Sequence, residues 1–445
     1  MRRLFMTLLL VVCTVPLRGQ TATPPLQVPY TQFRLANGLT VVLHQDKSVP
    51  VVTVNVWYHV GSANEKPGRT GFAHLFEHLM FEGSKNVKEG VFDTLLESAG
   101  GNNNGSTNND RTNYFEDVPS NALELALYLE SDRMAYLLDT MTPQRVDGQR
   151  DVVKNERRQS YENEPYGMAS IEIDKMLWPA NHPYNWPTIG YMEDLTAASH
   201  SDVVEFFKKY YVPNNASLVI AGDIDIPRTK ALVEKWFNEI PRGAEVEPIA
   251  PPAAILTGVQ KKTLTDRVSL PRLYLTWLSP RIYAPGDASL DIVSSVLTGG
   301  KNSRLYKRLV YETQMAQDVT AFQQSAAIGS EFQIIATARR GHTAAELQKV
   351  IDEELEKLRR EPPDAREVQR AINQVEASFY RRMERVSNKA DSLNGYYVAG
   401  GGPDYFAEDL ARYTSLSASD VQAATTQWLP SERRVELIVN PEEKK

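Results

Sequence analysis

The sequence predicts an α+β protein of two homologous domains, each a mainly antiparallel sheet packed with helices, joined by a Pro-containing linker. Extended runs come in neighbouring pairs, and helical patterns follow them, which favours antiparallel sheets over a doubly wound parallel one. Landmarks also recur in order at a nearly constant offset. Ser201-Asp202-Val203 opens a helical pattern that leads to the apolar run Leu218 to Gly222, and Ser419-Asp420-Val421 opens another that leads to Val435 to Val439. Gly83-Ser84-Lys85-Asn86 and Gly299-Gly300-Lys301-Asn302 fall at nearly the same displacement. An ordered set of this kind argues for duplication. Between the copies, residues 242–258 hold Pro248, Pro251 and Pro252 and little periodicity, as a linker does.

In chain order, Arg2 and Arg3 precede an apolar run from Leu4 to Val15, and Gly19 closes a plausible cleavage zone. Residues 1–19 therefore read as a secretory signal peptide, and the expected location is the periplasm or the exterior. Residues 20–241 form the first domain, with extended runs at Leu39 to His44 and Val51 to Val60 and helical patterns at Ala122 to Leu138 and Val146 to Tyr161. Residues 259–445 form the second, with an extended run at Phe332 to Thr337 and helical patterns at Ala344 to Arg359 and Ala365 to Ser387.

Composition narrows the chemistry. The chain of 445 residues is 42% hydrophobic and 24% charged, with net charge −7. Removing residues 1–19 deletes three arginines and no acid, and an acidic protein without basic runs is a poor nucleic-acid binder. No stretch beyond the leader is long and apolar enough to span a bilayer. The single cysteine, Cys13, lies in the leader, so a mature chain would have no disulfide and would hold any metal with His and carboxylates alone.

His74-Leu75-Phe76-Glu77-His78 is the most informative stretch. On a helix the two imidazoles sit one turn apart, with Glu77 beside them. A lone helical His is usually a packed core residue, but here two bracket a Glu in a chain with only seven His. The pair suits one Zn²⁺, and a non-ligand carboxylate at such a site can take a proton from water. A catalytic zinc needs a third protein ligand. Spacing alone places Gln149, Val153 and Glu156 on one helical stripe and leaves the choice of ligand open.

These residues resemble the pitrilysin/insulinase family of zinc metallopeptidases. The resemblance rests on the H-x-x-E-H helix, Val60-Gly61-Ser62, Gly71, Phe81-Glu82-Gly83 and Asp151-Val152-Val153-x-x-Glu156, and it covers nearly the whole mature chain. It implies Glu156 as third ligand to one Zn²⁺ per chain, with His74 and His78, and Glu77 as general base. It implies that Asn104, Gly105, Ser106 and Thr107 lie on a sheet edge where extended substrate adds as a strand. The family often carries a Glu where this chain has Gln149, which would then support the site by hydrogen bonding only. The family also uses a C-terminal Arg and Tyr to grip substrate; the strand Gly329 to Ile335 offers Glu331 and no Arg. At the duplicated position of His74, Glu77 and His78 stand Leu290, Val293 and Ser294, so the second half holds no zinc there.

The resulting expectation is an exported zinc endopeptidase acting on unstructured peptides or protein segments, as a homo- or heterodimer with another family member. Two other readings remain: a subunit of a processing-peptidase-like complex that needs a partner chain for activity, and a zinc-dependent peptide-binding protein without turnover.

Overall fold

The computed structural model describes residues 27–442. The expected leader and Cys13 lie outside the described residues. Eleven strands form two sheets, of six and five strands. The first sheet contains β1 (Thr31–Arg34), β2 (Thr40–Gln45), β3 (Val51–Tyr58), β4 (Asn102–Thr107), β5 (Thr112–Pro119) and β6 (Ala216–Gly222) in the order β1-β2-β6-β3-β5-β4. The second contains β7 (Gln260–Asp266), β8 (Arg272–Ser279), β9 (Ala316–Gln324), β10 (Ser330–Ala338) and β11 (Val435–Pro441) in the order β7-β11-β8-β10-β9.

The two orders are one plan repeated. In each, an early strand pairs parallel with the last strand (β2 with β6, β7 with β11), and every other pairing is antiparallel. Thus β4–β5 in the first sheet is the counterpart of β9–β10 in the second. The residues 241–259 carry no helix or strand. In the second copy, Leu290 and Val293 lie fully buried on the helix Asp287–Thr298, inside that half's core. Apolar side chains there fill the space that polar ones occupy in the first half.

The halves are less separate than their sequence boundaries imply. Helix Val386–Gly395 from the second half packs on β3 and β6 of the first sheet. Its Ala390 and Leu393, with Phe379 and Met383, bury Val42, Val219 and Ala221. In return, helix Ala169–Leu177 from the first half packs on β8 and β11, where Ile173 and Leu177 meet Tyr274, Leu437 and Val439. Each half therefore covers the outer face of the other's sheet, and apolar burial joins them.

This exchange also corrects one expected element. The single helix expected from Ala365 to Ser387 is two, Ala365–Arg382 and Val386–Gly395. No proline or glycine marks the break. The chain turns at buried Met383 so that the second helix can lie on the first sheet. The other long pattern, Val146 to Tyr161, is the helix Pro143–Arg157 followed by a π-helical turn over Arg158–Glu162. Such turns occur often at functional sites.

Candidate metal centre

The motif helix runs Phe72–Leu79 and begins at Gly71, whose φ of +86° suits glycine. A Cβ there would lie 2.8 Å from Ile189 O, so the backbone passes too close for any side chain. Glu65 fixes the same end: its carboxylate accepts the Gly71 N–H at 2.9 Å and the Ala73 N–H at 2.8 Å. An acid accepting the first free N–H groups of a helix satisfies them and complements the helix dipole. Burial pushes the Glu65 pKa up to about 8, against the pull of those N–H groups. The sequence reading missed Glu65; an acid just upstream of a helix start was the available signal.

One face of the helix is core. Phe76 stacks on Phe206 at 5.3 Å and on Tyr211 at 5.0 Å, and Tyr114 donates its hydroxyl to Phe76 O. The opposite face carries His74 and His78 towards the helix Pro143–Arg157. That helix starts from the Thr142 cap with Pro143 in its first turn, and it buries Val146 and Val153, which aims Glu156 at the two imidazoles. His78 Nε2 lies 3.2 Å from Glu156 Oε2, and His74 Nε2 lies 3.6 Å from Glu156 Oε1. One donor atom from each of the three falls within 4.8 Å of the others, the one such group of three among the described residues.

A donor set of two imidazoles and a carboxylate fits zinc with a position left over. Burial holds His74 down at about 4, so its ring is neutral and its nitrogen lone pair is available. The hydrogen bond with His78 lowers the Glu156 pKa and keeps that carboxylate ionised. Glu162 and Glu164, a little further along, stay outside the cluster; Glu162 pairs with Arg157. Gln149 was expected to support the ligands. Its amide donates to Glu82, four residues past His78 and beyond the end of the motif helix.

Glu77 is set apart from the three donors. Burial raises its pKa above the ordinary glutamate range, opposed by a hydrogen bond from Thr107 Oγ1 to Glu77 Oε2 at 2.6 Å. Thr107 ends β4, the outermost strand of the first sheet. A Cβ at Gly105 would sit 3.1 Å from Glu77 Cγ and 3.3 Å from both Phe81 and Tyr114, so any larger residue would have to push these side chains aside for β4 to pass this close to the helix. The turn bond from Asn108 N to Arg111 O sets the pairing parity. Gly105 and Thr107 therefore point main-chain groups at the open edge, and Asn104 and Ser106 point theirs at β5. The Asn104 side chain accepts the Gly105 N–H, and the Ser106 hydroxyl donates to Asn113 while Arg111 donates to it. Of the four residues expected to meet substrate, Asn104, Ser106 and Thr107 have side chains committed within the protein, and the main-chain groups at the open edge are those of Gly105 and Thr107.

Two models of one family match the chain: the insulinase peptidase family over residues 40–175 and that family's inactive peptidase domain over residues 197–375. The chain belongs to the insulinase family of peptidases. The first match contains His74, Glu77, His78 and Glu156; the second contains Leu290, Val293 and Ser294. Among similar proteins, a zinc protease of Helicobacter pylori, PqqE, is 28% identical over 98% of this chain and 97% of its own. A zinc protease of Bacillus subtilis, YmxG, is 25% identical over 82% of this chain and 87% of its own. A probable mitochondrial-processing peptidase subunit beta of Arabidopsis thaliana is 24% identical over 91% and 77%. The fold of a protease from Helicobacter pylori superposes with a TM-score of 0.86 at 28% identity, covering 94% of this chain and all of that one. Names of relatives in the family thus imply zinc and proteolysis. Among the described residues no helix is long and apolar enough to cross a membrane.

Proposed function

We propose that the chain is an exported zinc endopeptidase that cleaves unstructured peptides or protein segments. The observation that carries this is the convergence of His74, His78 and Glu156 beside Glu77, at the open edge of β4. His74, His78 and Glu156 would hold one zinc ion. When bound, that ion supplies Lewis acidity to the reaction. Glu77 takes a proton from the attacking water onto its carboxylate and then passes it to the leaving amine as the peptide C–N bond breaks. Burial raises its pKa, which favours holding the proton between the two transfers. Thr107 orients the carboxylate. Extended substrate lies along Gly105 and Thr107 by main-chain pairing, which requires a segment with free backbone groups and so favours unfolded chains. The apolar leader at residues 4–15, preceded by two arginines, supports export.

A second reading keeps the same site and adds a partner. The family resemblance implies a C-terminal Arg and Tyr, the strand β10 carries Glu331 and no Arg, and similar proteins include processing-peptidase beta subunits. In that reading a second family member supplies the substrate grip. Pure protein with a quenched peptide library tests both: cleavage blocked by a chelator and restored by zinc supports the endopeptidase. Cleavage only after a second family member is added supports the partner reading, and zinc binding without cleavage in either case leaves a peptide-binding protein.

A further inference from the structure

We infer that the second half holds the substrate-side edge strand in position through one polar node, Asp110 with Tyr184, which makes Asp110 a positioning residue. The inference rests on the peptidase reading above. Asp110 sits in the turn between β4 and β5. Its Oδ1 accepts the Tyr184 hydroxyl, and its Oδ2 accepts the Ala327 N–H at 2.9 Å. The Tyr184 oxygen in turn accepts the Ile328 N–H at 3.2 Å. Ala327 and Ile328 form the tip of β9–β10, so the tips of the two equivalent hairpins meet. Tyr184 is 2% exposed, and a Cβ at Gly329 would lie 2.9 Å from the Trp178 ring, so the second tip seats closely.

The node is continuous with the site. Arg111, the next residue, donates to Ser106 O at 2.8 Å, and Thr107 follows with its bond to Glu77. An outermost strand is paired on one side only, and its free end is soft unless something holds it. The first half holds Asn108 and Asn109 of this turn through the Ser62 and Ala63 N–H groups, and the half without zinc donors holds Asp110 beside them. The link runs from the β9–β10 tip through Asp110 and Arg111 to the main chain of Ser106 and Thr107, the edge a long peptide pairs with, while the Thr107 side chain keeps its own bond to Glu77.

Asp110→Asn, Tyr184→Phe and the double variant of the full chain test this. Each is assayed for zinc content and for kcat/KM on a long peptide and on a blocked tripeptide too short to pair along β4. Amide exchange at Gly105 and Thr107 is measured alongside. Loss of one such node predicts unchanged zinc, a fall of about tenfold on the long peptide and little change on the short one. The double variant should lose no more than either single one, because both remove the same node. Exchange at the two amides should quicken. Equal losses on both peptides, additive losses, or unchanged exchange would overturn the inference. If the wild type cleaves nothing with or without a second family member, the peptidase reading fails, and amide exchange in Tyr184→Phe alone decides the node.

Discussion

Thr107 and Glu77 are joined by a 2.6 Å hydrogen bond that ties the outermost strand of the first sheet to the motif helix. The same hydroxyl fixes which way the carboxylate faces and how far the open edge of β4 stands from it. Thr107→Val keeps the shape and removes the donor. Zinc content should stay at the wild-type level while kcat falls roughly tenfold, in line with one lost hydrogen bond to a charged group. Unchanged kcat in a zinc-loaded variant would remove Thr107 from the site.

Glu156→Gln replaces an anionic donor with a neutral one. Zinc should then be lost under mild chelation, and activity with it, whereas Glu162→Gln and Glu164→Gln should behave as wild type because neither joins the cluster. Metal titration of the three variants decides this. Loss of affinity in either of the latter two would move the third ligand along the chain.

Glu331 on β10 and Asp174 on the helix Ala169–Leu177 face one another between the halves. Burial raises the pKa of each, and the Glu331 charge raises Asp174 further; Glu331 Oε2 has no hydrogen-bond partner. Their folded pKa values lie above the unfolded carboxylate values of about 4. The folded state therefore binds more protons, and the Glu331 contribution to stability falls as pH rises from about 4 through about 7. Glu331→Gln should raise the melting temperature at pH 8 and flatten its pH dependence. A lower melting temperature at pH 8 would show that the carboxylate is instead stabilising when charged.

The first half alone, residues 20 to about 245, keeps all four motif residues but loses the helix Val386–Gly395 from its sheet. Val42, Val219 and Ala221 would be exposed, and a contiguous apolar face of this kind promotes association. The fragment should bind zinc weakly or aggregate, and cleave little. Adding the second half as a separate chain should restore solubility. A soluble, fully active fragment would leave the second half without a role.

The sequence showed the site's chemistry better than its support. His74, Glu77 and His78 were legible because a ligand pattern is a spacing, Glu156 was legible only through the family resemblance, and the duplication was legible because both sheets kept the same order of landmarks. The exchange of helices was not. Periodicity shows that the helix Val386–Gly395 has an apolar face but cannot say that the face belongs to the other half's sheet. The break at Met383 was hidden for the same reason, since no residue there disfavours a helix. Glu65 and the Asp110–Tyr184 node are contacts between polar side chains and distant backbone, which leave no periodic trace. Thr107 was noticed as a strand residue, but its bond to Glu77 depends on β4 crossing the helix at Gly105.

Glu77→Gln is the most direct test of the proposed chemistry, with zinc counted and peptide cleavage measured on the same preparation. One zinc per chain and a loss of at least about 10²-fold in turnover is the expected result, because the donors to the metal remain and the proton acceptor is gone. Wild-type turnover at full zinc occupancy would contradict it.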